Sequence, residues 1–166
     1  MAELTLRPAR AGDAEAIAAI WNPFVRDSTI TFTTEEKTPE AVAHMIEERG
    51  RAFLVAEAAN GLSGFATYGA FRGGPGYART QEHSVFTAPG TAGQGLGRAL
   101  VQALEAEARQ AGHHSLIGGI SAENTGALAF HARLGFAEVG RIREAGRKFD
   151  RWIDLVLVQK MLFPAA

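Results

Sequence analysis

Apolar residues along this chain fall into two spacings, alternate positions and helical three-to-four repeats, and the order of the two outlines a fold. Leu4-Thr5-Leu6 reads as a short strand that stops at Arg7-Pro8. Behind Asp13, an N-cap residue type, Ala14, Ile17, Ile20 and Trp21 recur at near-helical spacing. Thr38-Pro39-Glu40 opens a second helix with a capping hydroxyl, proline at the first position and an acid in the first turn. Val42, Met45 and Ile46 supply its apolar face, and Gly50 ends it. Phe53 to Glu57 and Gly64 to Gly69 read as strands joined across Asn60-Gly61, a hairpin signal.

Glu82 to Thr87 is a further strand. From Leu96 the spacing turns helical, with Leu96, Leu100, Ala103 and Leu104 on one face and Gly112 as the stop. Ser115 to Ile120 is strand-like, Thr125 to Leu134 is a short helix ended by Gly135, and Gly140 to Gly146 reads as a loop before a last strand, Trp152 to Val158. Strands gather early and alternate with helices later, which predicts a mixed α/β fold: a central twisted sheet flanked by helices. No linker, charge block or internal repeat interrupts residues 1–166, so a single domain is expected.

Composition narrows the function classes. Seventeen basic and eighteen acidic side chains leave a formal charge of −1, which argues against nucleic acid or anionic lipid as partners. Cysteine is absent, so cysteine nucleophiles, disulfides and thiolate-ligated metals are excluded. The five histidines include His113-His114 but form no ligand spacing, and no metal is expected. Met1 to Pro8 lacks the pattern of a secretion signal and no apolar run reaches membrane-spanning length, so a cytoplasmic protein is expected.

The densest chemical signal is Ser84-Val85-Phe86-Thr87-Ala88-Pro89-Gly90-Thr91-Ala92-Gly93-Gln94-Gly95-Leu96-Gly97-Arg98, where a strand ends, glycines turn the chain and a helix begins. Free N–H groups and the positive end of the helix dipole suit a phosphate there, and Arg98 adds a cation. A P-loop is excluded because Gly97 is followed by Arg98-Ala99, and a dinucleotide fingerprint fails because Arg98 and Leu100 stand where its third glycine belongs. Three glycines alone fit a plain strand-to-helix turn equally well.

Gly95-Leu96-Gly97 after Ser84-Val85-Phe86, with Glu123-Asn124 and Phe130-His131…Leu134-Gly135-Phe136 downstream, resembles the GCN5-related N-acetyltransferase (GNAT) superfamily. Ile20-Trp21-Asn22, Ser28 to Phe32, Phe71-Arg72, Glu82-His83-Ser84-Val85-Phe86 and Gly146 to Leu155 resemble its phosphinothricin and methionine sulfoximine acetyltransferases. The resemblance covers nearly the whole chain and implies the acetyltransferase fold, acetyl-CoA as donor and a primary amine as acceptor. It implies that Val85, Phe86 and Thr87 line the pantetheine arm, that Gly93, Gln94, Gly95, Leu96, Gly97 and Arg98 hold the pyrophosphate, and that Asn124 touches the cofactor. The superfamily usually carries Gln or Arg where Ala92 stands and often Arg where Gly93 stands, so here backbone N–H groups and Arg98 are left to bind the phosphates.

The same resemblance makes Glu82 the base that takes the amine proton and His131 the acid that protonates the departing thiolate. Phe71, Arg72, Gly73, Gln81, Glu82 and His83 become acceptor-site candidates. Arg72 and Arg79 are candidate anion clamps, and Phe32, Tyr77 and Trp152 candidate walls. His83, next to Glu82 on a strand, is expected on the opposite face. Without a thiol relay, direct attack by the amine is expected. The implied acceptor is a small glutamate-like amino acid, with another amine or a protein N-terminus, or a CoA-binding module without catalysis, as alternatives. A homodimer is implied by resemblance.

Overall fold

The computed structural model describes residues 4–163; Met1 to Glu3, part of the N-terminal segment read above, lie outside the described residues. The chain forms β1 (Thr5–Pro8), α1 (Ala14–Asp27), α2 (Pro39–Arg49), β2 (Phe53–Ala58), β3 (Gly61–Ala70), β4 (Thr80–Thr87), α3 (Leu96–Gln110), β5 (Ser115–Ser121), α4 (Thr125–Arg133), β6 (Ala137–Lys148) and β7 (Arg151–Met161). One seven-stranded sheet runs in the order β1-β2-β3-β4-β5-β7-β6, and only the β4–β5 pair is parallel. Among the described residues no helix is long and apolar enough to cross a membrane.

Two apolar clusters clamp the sheet from either side. On one face Ile17, Trp21 and Val25 of α1 and Val42 and Ile46 of α2 bury against Phe53, Val55 and Phe65. On the other, Leu100, Val101 and Leu104 of α3 bury against Leu54, Ala66, Leu116, Val156 and Val158. Alternate strand residues therefore serve opposite layers, as the two-residue period requires.

The local signals meet different fates. Thr38 caps α2 by accepting the Ala41 N–H at 3.1 Å, as its sequence predicts. Asp13 precedes α1 but does not cap it with its side chain; its carboxylate instead accepts Arg7 at 2.8 and 2.9 Å and the Arg10 N–H at 2.7 Å, tying β1 to the helix start. The β2–β3 turn lies at Ala59-Asn60, one residue earlier than expected, since Ala58 pairs with Gly61.

The segment from Gly140 to Gly146 is not a loop. It belongs to β6, which pairs along β7 with register shifts between Glu138 and Gly140 and between Ile142 and Gly146. Asp154 holds the second irregularity, accepting the Glu144 N–H at 2.8 Å and Arg141 Nε at 3.0 Å. Nearly every β6 side chain is exposed, so the apolar alternation that marks a half-buried strand is missing.

Candidate active site

β4 and β5 pair only at Thr80–Ser115, Gln81–Leu116 and Glu82–Ile117. Beyond those pairs β4 runs on to Thr87 and β5 to Ser121, but the two strands have parted. Their facing N–H and C=O groups from His83 and Gly118 onward are left for another partner. A cleft of about 80 Å³ occupies the wedge, between Val85 and Phe86 on one side and Gly118 and Gly119 on the other, with His131 of α4 behind it. Ligand pockets typically span roughly 300–1,000 Å³, so this wedge admits a narrow chain end and not a whole nucleotide. Phe86 contributes backbone to it, because its ring packs at a tilt on Phe65 and Trp21, centroids 5.4 and 5.5 Å away, in the α1–α2 core.

Glu82 and His83 sit where the strands divide, and the strand period sends them to opposite faces. Glu82 pairs across with Gly69 and lies toward α1 and α2; a Cβ built on Gly119 would stand 3.5 Å from its Oε1. Burial pushes its carboxyl above the usual range, partly offset by the positive charge of Arg49. His83 faces α3 and α4, is 5% exposed, and packs on Phe136 with ring centroids 5.1 Å apart.

On that side His83 Nε2 meets His131 Nε2 at 2.9 Å. His83 Nδ1 lies 3.1 Å from the Ile117 carbonyl oxygen and His131 Nδ1 2.8 Å from that of Ala127. A carbonyl oxygen only accepts, so each Nδ1 is the donor and each Nε2 turns a lone pair to the other. A proton bound between the Nε2 atoms makes the pair a monocation, and burial, with the His131 charge acting on His83, lowers both pKa values, so that proton is only weakly held.

The glycine turn lies at the outer end of the wedge. Gly93 and Gly95 have φ of +78° and +77°, conformations that side chains resist, and a Cβ at either would meet nothing within 4 Å. The turn is thus unobstructed and ends on α3, whose first turn holds no acid and shows the exposed Arg98. Gly97 differs: a Cβ there would come 3.2 Å from Phe130 Cζ, so it serves the close approach of α3 and α4. Asn124 lines the wedge while its Oδ1 caps α4 at the Ala127 N–H, 3.1 Å away.

Other candidates are dispersed. Gln81 is buried on the face away from Glu82, its Nε2 donating to the Ala78 carbonyl at 3.0 Å. His83 likewise lies on the His131 side, away from the face of Glu82. Phe71, Arg72 and Gly73 lie in the β3–β4 connection, with Arg72 exposed over the Tyr77 ring at 5.6 Å. Arg79 is engaged by the Gly112 carbonyl. Trp152 is 56% exposed beneath Arg147, not a pocket wall, and Phe32 packs over Gly146. No metal-holding group of His, Asp and Glu exists among the described residues. Arg49 is half-buried on the same face as Glu82, a placement the sequence did not signal because a basic residue ending a helix is ordinary.

Comparison with known proteins agrees with this geometry. The acetyltransferase (GNAT) domain family matches residues 6–157. The chain is 33% identical over 162 residues to an L-methionine sulfoximine/L-methionine sulfone acetyltransferase of Salmonella typhimurium, covering 96% of this chain and 95% of that protein. It is 34% identical over 167 residues to a phosphinothricin N-acetyltransferase of Streptomyces coelicolor, covering 97% and 98%. A Salmonella typhimurium structure solved with its cofactor acetyl-CoA superposes with a TM-score of 0.92 at 33% identity, over 99% of this chain and 96% of that one.

Proposed function

This chain belongs to the GNAT acetyltransferase family and is an acetyl-CoA-dependent N-acetyltransferase, and on that premise we propose that its acceptor is the primary amine of a small glutamate-like amino acid or analogue, such as methionine sulfoximine or phosphinothricin. The observation that carries this reading is the placement of Glu82 and the His83–His131 pair on opposite faces at the point where β4 and β5 part. A thioester threaded through the wedge then meets a base on one side and a proton donor on the other.

The unpaired β4 edge from His83 to Thr87 offers amide groups to the pantetheine arm, and the turn from Gly93 to Arg98 offers N–H groups and a cation to the pyrophosphate. Glu82 accepts a proton from the acceptor amine as its nitrogen attacks the acetyl carbonyl carbon. Backbone N–H near Val85 or Phe86 stabilises the developing oxyanion. As the C–S bond breaks, His131 passes to sulfur the proton it shares with His83, and burial makes that proton easy to give up. Thiol and N-acetylated product leave, Glu82 gives its proton to solvent, and solvent restores the one at the histidine pair. Attack is direct, with no acetylated enzyme on the path. A homodimer accompanies this reading, supported by the exposed Val139, Ile142 and Trp152 on β6 and β7.

Thiol release from acetyl-CoA, measured with methionine sulfoximine, phosphinothricin and a panel of amino acids, tests the assignment. Saturable release with these acceptors is expected. Release only with peptide N-termini, or tight CoA binding with no release, would overturn it in favour of a protein acceptor or a non-catalytic module.

A further inference from the structure

We propose that Arg49 is the anchor for the acceptor's α-carboxylate, and that the Arg49–Glu82 pairing selects free α-amino acids over peptide N-termini and simple amines; the inference rests on the amino-acid reading above.

Arg49 is the last residue of α2, and its side chain lies across β3 on the face that carries Glu82. Nη1 donates to the buried Thr67 hydroxyl at 3.1 Å. The guanidinium covers Gly69 so closely that a Cβ there would stand 2.9 Å from Nη2 and 3.1 Å from Cζ. The absence of a side chain at Gly69 leaves room for the guanidinium to lie there. Gly69 is also the cross-strand partner of Glu82. Directly opposed residues in an antiparallel pair have Cα atoms roughly 4.5–5.5 Å apart, so the guanidinium fork and the carboxylate stand over neighbouring positions.

The cation is uncommitted. Among the described residues no carboxylate oxygen lies within 4.0 Å of its nitrogens; Glu48 and Glu82 act on it only through longer-range charge. Burial accordingly lowers its pKa, the expected response of a cation that has lost water without gaining an anion. Arg79 is engaged by the Gly112 carbonyl and Arg151 by Glu123, whereas Arg72 lies exposed over the Tyr77 ring in the β3–β4 connection, outside the face that carries Glu82.

An α-amino acid carries its amine and carboxylate on one carbon, so the groups that receive them must be neighbours. A fork that binds carboxylate bidentately beside a carboxylate that receives an ammonium proton matches that charge pattern. A peptide N-terminus presents an amide where the carboxylate would be and leaves Arg49 without an anion. A simple amine does the same.

The test compares methionine sulfoximine with its α-carboxamide as acceptors for wild-type enzyme, Arg49→Gln and Arg49→Lys. Arg49→Gln is expected to raise KM for the acid by about 10- to 100-fold, the value of a charge-assisted contact, with a much smaller change for the carboxamide. Arg49→Lys is expected to recover part of the loss, and KM for acetyl-CoA to stay within about threefold, reporting an intact fold. An equal rise for acid and carboxamide, or none for either, would overturn the anchor while leaving the acetyltransfer reading intact. Failure of the wild-type enzyme to acetylate either acceptor would overturn the amino-acid reading and the anchor together.

Discussion

His83 on β4 and His131 on α4, 48 residues apart in sequence, meet through their Nε2 atoms at 2.9 Å while both Nδ1 atoms are engaged by backbone carbonyls. Strand and helix thus hold one proton site between them, directly behind the wedge. Both rings have pKa values below the usual histidine value because of burial, so the folded protein takes up fewer protons in acid than the unfolded chain.

Stability should therefore be fully present above about pH 6.5, the unfolded histidine value, and fall as pH drops below it. Each unmatched proton contributes a slope of about 1.4 kcal/mol per pH unit. His83→Gln removes one of the two sites and should flatten the fall between pH 7 and pH 5. Urea midpoints at the two pH values provide the measurement; identical slopes for wild type and variant would show that the dyad does not govern the acid limb.

Glu82→Gln should lower kcat/KM by about 10²- to 10⁴-fold near neutral pH, the usual contribution of a positioned base. The loss should shrink at alkaline pH, where the amine sheds its own proton. In the wild type the carboxylate form is the active one and its pKa is raised, so rate should fall as pH descends through a value above the ordinary glutamate one. A pH–rate profile that the substitution leaves unchanged would remove Glu82 as the base.

At Gly95→Ala, a side chain must adopt a φ near +77° at the start of α3. The substitution should cost about 1 kcal/mol of stability and raise KM for acetyl-CoA more than KM for the amine. An amine KM that rises as much would place the turn outside the cofactor site.

A Cβ at Gly146 would overlap the Phe32 ring. Gly146→Ala should destabilise by about 1–3 kcal/mol, the typical cost of overpacking. Phe32→Leu in the same chain should return part of that loss, since residues in contact couple. Additive effects in a thermal unfolding cycle would separate the two sites.

Helix boundaries were legible in the sequence where one residue and its near neighbours decide them. Thr38-Pro39 starts a helix, and Gly50, Gly112 and Gly135 stop helices, through contacts a few residues long. The strand-turn-helix at Ser84 to Arg98 was legible for the same reason, and it carried the family resemblance. β6 was not, because its exposed residues carry no burial period and its partner β7 alone makes it a strand. Gly97 and Gly69 were legible as glycines but not as the spaces that Phe130 and Arg49 occupy.

By itself, then, the sequence determined the glycine turn from strand to helix and the order of elements apart from β6, and its family resemblance singled out Glu82 and His131 as candidates. Tertiary structure alone decided that β4 and β5 part after Glu82 and Ile117, that His131 meets His83 on one face, and that Arg49 lies over Gly69 beside Glu82 on the other. The reason lies in range. Caps, stops and periodicity are short-range interactions written into consecutive residues, whereas a strand divergence and a buried proton pair exist only once two apolar layers have clamped the sheet.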